Sequence, residues 1–215
     1  MAIDEVPTRA RLGRAVERGH HDRATIDAIL DGAFTCHLGF VQDGHPTVVP
    51  TIHARSGDVV YVHGSVASRA MRGDRLDVCL TVTHVDAVVV ARSAFHHSLN
   101  YRSVMVMGEA RRVTDADEAL HALEAVTEAV VPGRWAHTRH PSRKELAATA
   151  VLALPLDLAS AKVRAHGVSD DAEDLAGPWW AGLLPVRTVA DAPIPDPDLP
   201  ADAEVPAHVR DWHPR

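Results

Sequence analysis

Aromatic side chains are scarce in this chain: 4% of its 215 residues are Phe, Tyr or Trp. The core must therefore rest on Val, Ala and Leu, and an apolar content of 46% is normal for a globular protein. Cysteine is nearly missing. Cys36 and Cys79 each sit in an apolar, strand-like run and read as buried free thiols, because a disulfide framework needs more cysteines. No apolar run approaches the length of about 18 residues that a membrane span needs. The opening MAIDEVPTRA lacks a signal-type apolar centre, so a cytoplasmic protein is expected, with no membrane partner. Cationic excess is absent too. A net charge of −7 argues against non-specific nucleic-acid binding, which runs on clustered Lys and Arg. Only the N-terminal stretch is locally basic, through Arg9, Arg11, Arg14, Arg18 and Arg23.

Several catalytic signatures are also missing. There is no G-x-S-x-G elbow, no H-E-x-x-H, and no Gly-rich fingerprint between a strand and a helix. The 15 histidines include the adjacent pairs His20–His21 and His96–His97. Neighbours on a strand point to opposite faces, so neither pair chelates well and no metal site is expected.

What is present is a run of short strands. Residues 22–31 carry Ile26, Ile29 and Leu30 at helical spacing, with Gly32 as a stop. Apolar or alternating segments follow at 34–41, 47–54 and 59–63, parted by Asp43-Gly44 and Ser56-Gly57-Asp58, which are hairpin signals. A short helix is expected over 65–74, then strands at 76–83, 87–91 and 101–113. Thr114 reads as the N-cap of a helix reaching Val130, and Ser142 to Glu145 as a capping box. Strands at 151–158 and 159–167 complete the series. Connections this short exclude a parallel crossover sheet. They indicate a mainly β fold, a small antiparallel barrel with peripheral helices. The Pro- and Asp-rich stretch beyond Arg187 reads as an extended tail.

Two segments concentrate chemistry. In His63 to Arg72 a strand ends at His63, Gly64 allows close backbone approach, and Ser65, Ser68, Arg69 and Arg72 follow. Hydroxyls, backbone N–H groups and an arginine fork are what a phosphate wants. In His97 to Gly108, Asn100, Tyr101, Arg102 and Ser103 crowd the start of a strongly apolar strand. Amides and hydroxyls on a rigid strand suit the polar edge of a flavin ring.

On these residues the chain resembles the pyridoxamine 5′-phosphate oxidase-like flavin-binding split-barrel superfamily, in its flavin-nucleotide-binding and nitroimidazole-resistance branch. The likeness runs over about residues 23–187. It takes in Pro50-Thr51-Ile52-His53, the two segments above, Lys162-Val163-Arg164 and the closing Trp180 to Pro185. It implies a six-stranded antiparallel split barrel over 23–187, between a basic arm (1–22) and a tail (188–215). It also implies a homodimer with FMN at the subunit interface and a small-molecule substrate. By position, Ser68, Arg69 and Arg72 would hold the phosphate, with Ser65 and His63 beside them. Thr51, Ile52 and His53 would lie along the ring, Asn100 to Ser103 would meet its polar edge or ribityl chain, and Trp180 would close the site. Ala70 stands where the oxidase proper has a lysine, and Pro185-Val186-Arg187 only loosely echoes its substrate signature, so another reaction is expected. That reaction is electron transfer from a reduced nicotinamide to a small acceptor such as a nitroaromatic or quinone, with His63 or Tyr101 as proton donor. The alternatives are a deazaflavin F420 reductase, a haem protein with His53, His63 or His97 as axial ligand, and a non-enzymatic flavin-binding module.

Overall fold

The computed structural model describes residues 16–71, 73–200 and 202–214. Helix α1 (Arg23–Asp31) starts where the Asp22 carboxylate accepts the Thr25 N–H at 2.8 Å, and it buries Ile26, Ile29 and Leu30. Its last carbonyls have no partner within the helix. Two imidazoles meet them: His53 Nε2 donates to the Leu30 carbonyl at 3.0 Å, and His84 Nε2 to that of Ile29 at 2.9 Å.

Strands β1 (Gly19–His20), β2 (Thr35–Gln42), β3 (His45–Ser56), β4 (Val59–Ser65), β5 (Arg75–Val90), β6 (Ser98–Arg112), β7 (Thr149–Pro155), β8 (Ala159–Arg164) and β9 (Gly182–Pro185) form one antiparallel sheet. The ladder β6-β7-β4-β3-β2-β5 closes on itself through β5–β6, giving a six-stranded barrel. The split lies along β6. Its first half pairs with β8, Tyr101 opposite Arg164 through Val106 opposite Ala159. Its last residues, Arg111 and Arg112, pair with β7. Strand β1 flanks β8, and β9 flanks β5.

Alternation places Cys36, Leu38 and Phe40 of β2 inside, with Val60, Val62, Leu80, Val82, Val104, Val106 and Leu152. Strand β7 is buried on both faces because helix α2 (Ala116–Val130) covers its outer side: Val151 and Ala153 pack with Tyr61 and Ala122, while Leu152 and Leu154 face the barrel. The Asp43-Gly44 hairpin forms as expected, both residues having positive φ (51° and 78°) in a two-residue loop.

Four local expectations are corrected. Among the described residues, the stretch 65–74 expected as a helix holds a single 3₁₀ turn, Arg69–Met71. Asp115, not Thr114, caps α2. The segments 76–83 and 87–91 are one strand, β5, with a register shift between Val85 and Ala87. The tail folds back at its end: after helix α3 (Ala207–Arg210), Trp212 Nε1 donates to the Val130 carbonyl at 2.6 Å. Cys36 is buried as expected, its thiol pushed up to about 12 by burial, but Cys79 is half-buried.

Burial lowers the pKa of His53. The unfolded chain then binds the proton more readily, so stability is present above the ordinary histidine value of about 6.5 and falls as pH drops through the folded pKa. A His53→Gln protein keeps a donor for the Leu30 carbonyl and is expected to lose less stability between pH 7 and 5, read by urea unfolding at each pH.

Candidate functional site

A cavity of about 600 Å³ lies between the β2–β3 hairpin, the end of β4 and the 3₁₀ turn. Gly64 lies close under the turn: a Cβ there would stand 3.2 Å from two side-chain carbons of Met71, which would have to shift by a few tenths of an ångström. The Val66 N–H is held by the Ala148 carbonyl and the Ser68 N–H by that of Ser65. The wall so formed presents His63, Ser65, Ser68 and Arg69, and Thr51 faces them from β3.

Among the described residues Arg69 has no carboxylate partner, and its guanidinium is exposed. The Ser65 Oγ accepts from the Ala67 N–H at 3.2 Å, which leaves its own proton to donate. His63 Nδ1 is buried without a partner, and burial pushes the imidazole pKa down, so the ring is neutral at pH 7 with an available lone pair. His63 also borders a second hollow of about 320 Å³ against α2, with Trp135 and Arg139. The Arg139 side chain is held by Glu145 at 2.7 and 2.9 Å.

The second segment is placed elsewhere. Asn100 is buried and its Oδ1 accepts from Arg164 Nη1 at 2.5 Å. Arg164, 4% exposed, also donates to the carbonyls of His166 and Gly167. Tyr101 lies opposite Arg164, and the Ser103 hydroxyl donates to the Lys162 carbonyl at 3.3 Å. Arg102 forks onto Asp86, the residue at the β5 register shift, at 2.9–3.3 Å. Of this segment only Arg102 lines a large cavity. That cavity, about 590 Å³, has Phe34, His84, Arg187 and Pro214 in its wall and shares no residue with the first.

Within one protomer, then, Thr51, His63, Ser65, Ser68 and Arg69 meet, and Asn100 to Ser103 do not join them. His53 is corrected: it is wholly buried beneath α1 and serves as a helix cap, so its ring reaches no groove. Ile52 pairs with Thr35 and lies outside the cavity wall. Trp180 is exposed on the loop before β9, its ring lying over Gly182. His97 is exposed and bonds the Ser93 carbonyl through Nδ1 at 3.0 Å. Arg72 lies outside the described residues. Missed by motif reading were Gln42, Asp43, His45 and Thr47, the hairpin side of the first cavity. Their signal was only the Asp-Gly turn, which brings Thr47 opposite Phe40.

The family profile of pyridoxamine 5′-phosphate oxidase matches residues 22–163. The chain belongs to this family. Its structure superposes on the flavocytochrome Anf3 from Azotobacter vinelandii with a TM-score of 0.91 and 38% identity, over 96% of this chain and 97% of that one. The FAD and haem binding protein from Mycobacterium smegmatis gives 0.87 and 36%, over 92% and 98%. A candidate 5-nitroimidazole antibiotic resistance protein from Bacteroides thetaiotaomicron gives 0.56 and 23%, over 67% and 86%, a likeness of fold. No curated protein matches the sequence. No helix among the described residues is long and apolar enough to cross a membrane.

Proposed function

We propose that this member of the family is a flavin-binding oxidoreductase that also carries haem, passing electrons from a reduced nicotinamide to a small acceptor such as a quinone or nitroaromatic. The observation that carries the reading is the near full-length likeness, at 36–38% identity, to a flavocytochrome and to a FAD- and haem-binding protein. The residues of the first cavity fit such groups. An arginine without a carboxylate and two serine hydroxyls suit the phosphate common to FMN and FAD. His63, whose partnerless Nδ1 belongs to a ring lining the cavity, suits haem iron better than His53, whose ring is wholly buried beneath α1, or His97, exposed and bonded through Nδ1.

A bound flavin supplies hydride acceptance and electron release, and haem supplies one-electron transfer. The chain's own part is to bind and orient. Arg69, Ser65 and Ser68 hold the phosphate end, Thr51 flanks it, and His63 offers its lone pair from a low-dielectric wall. Tyr101 to Ser103 and Trp180 act from the second copy of a homodimer, which is how one cofactor site draws on residues that a single protomer keeps apart, while Asn100 stays buried on Arg164 in its own protomer. The exposed Trp179, Trp180 and Leu184 supply an apolar face for that contact.

The test is the absorption spectrum of the purified protein, with heat-released chromophores identified. Flavin bands with a Soret band are expected, and His63→Ala should abolish the Soret band while leaving flavin. A protein that takes up neither FMN, FAD nor haemin overturns the reading. Full flavin occupancy with no nicotinamide oxidation across a panel of acceptors makes it a flavin-binding module instead.

A further inference from the structure

We infer that His96, Asp171 and Asp174 form a site for one divalent transition-metal ion, zinc(II) matching the donor set best. The inference is independent of the barrel cavities. His96 ends the 3₁₀ turn Ala94–His96 that links β5 to β6, and the two aspartates come from the loop after β8. One ligand atom from each of the three lies within 4.8 Å of the others. With metal–ligand bonds of about 2.0–2.2 Å, a tetrahedral ion holds its ligands about 3.5 Å apart, so small rotations of the two carboxylates close the set.

Charge separates this cluster from a plain ion pair. His96 Nε2 lies 3.1 Å from Asp171 Oδ2, so one imidazolium would answer one carboxylate. The Asp174 carboxylate brings an oxygen within 4.8 Å of both, and among the described residues no cation pairs with it. Two carboxylates around one imidazole are balanced by a doubly charged ion. The imidazole favours zinc and its neighbours over calcium or magnesium, and water would fill the open position.

The loop is docked without the ion. Asp170, whose side chain is 1% exposed, accepts from the Arg92 N–H at 3.0 Å and from its Nη1 at 2.9 Å. The Asp174 N–H is held by the Asp171 carbonyl, which sets the two side chains beside each other. An ion here fastens the stretch leading to Trp179, Trp180 and β9 onto the β5–β6 connection.

The experiment is equilibrium dialysis of chelator-stripped full-length protein, cofactors in place, against micromolar zinc chloride, with bound metal counted by mass spectrometry. One zinc per protomer is expected, falling at least tenfold in His96→Ala and Asp174→Asn while flavin content holds. Failure of the wild type to retain zinc, or equal retention by both variants through other histidines, overturns the site.

Discussion

Arg69→Ala is expected to weaken flavin binding about 10- to 150-fold. A charge-assisted hydrogen bond contributes about 1.5–3 kcal/mol, and each 1.4 kcal/mol is a factor of ten in Kd. The fold should not suffer, because Arg69 is exposed and anchors no carboxylate among the described residues. Arg69→Lys keeps the charge and loses the fork, so an intermediate Kd is expected. Fluorescence titration of stripped protein with FMN and with FAD reads both. Unchanged affinity in the alanine variant would remove the phosphate from this corner while leaving the fold untouched.

The second large effect is on stability. Arg164→Leu is expected to cost about 3 kcal/mol, because it strands the buried Asn100 Oδ1 and removes donors from two further carbonyls. The carbonyls of His166 and Gly167 lie in exposed residues and can turn to water, so most of the loss comes from Asn100. For a chain of this length that is a fall of about 6–12 °C in Tm. Arg164→Lys reaches fewer acceptors and should recover only part of it. Scanning calorimetry decides: a shift within a degree of wild type would mean that Asn100 finds another donor.

These two arginines show what a single sequence discloses. The place of Arg69 in the cavity wall was legible because its surroundings are local: strand end, glycine and two serines stand within a few residues of it. Arg164 was quoted only as part of a strand, and its grip on Asn100 spans a separation of 64 residues that no local pattern reports. The barrel itself was legible, since alternation and the Asp-Gly turn are short-range signals, and the closed six-stranded ring matches them. His53 misled for the opposite reason. The resemblance set it along the flavin ring, yet the Leu30 carbonyl at the end of α1 claimed it. The bulge at Asp86 was also invisible, because a register shift depends on β6, which pairs with β5 across it.

Ring closure has one more consequence, for the protein in a crowded solution. The terminal strands of the sheet are β1, of 2 residues, and β9, of 4, and β9 ends at Pro185, which has no N–H to offer. Long unpaired strand edges recruit other chains and seed insoluble assemblies. Here the longest strands, β5 and β6 at 16 and 15 residues, lie inside the ladder, and among the described residues these two short ribbons stand at its two ends.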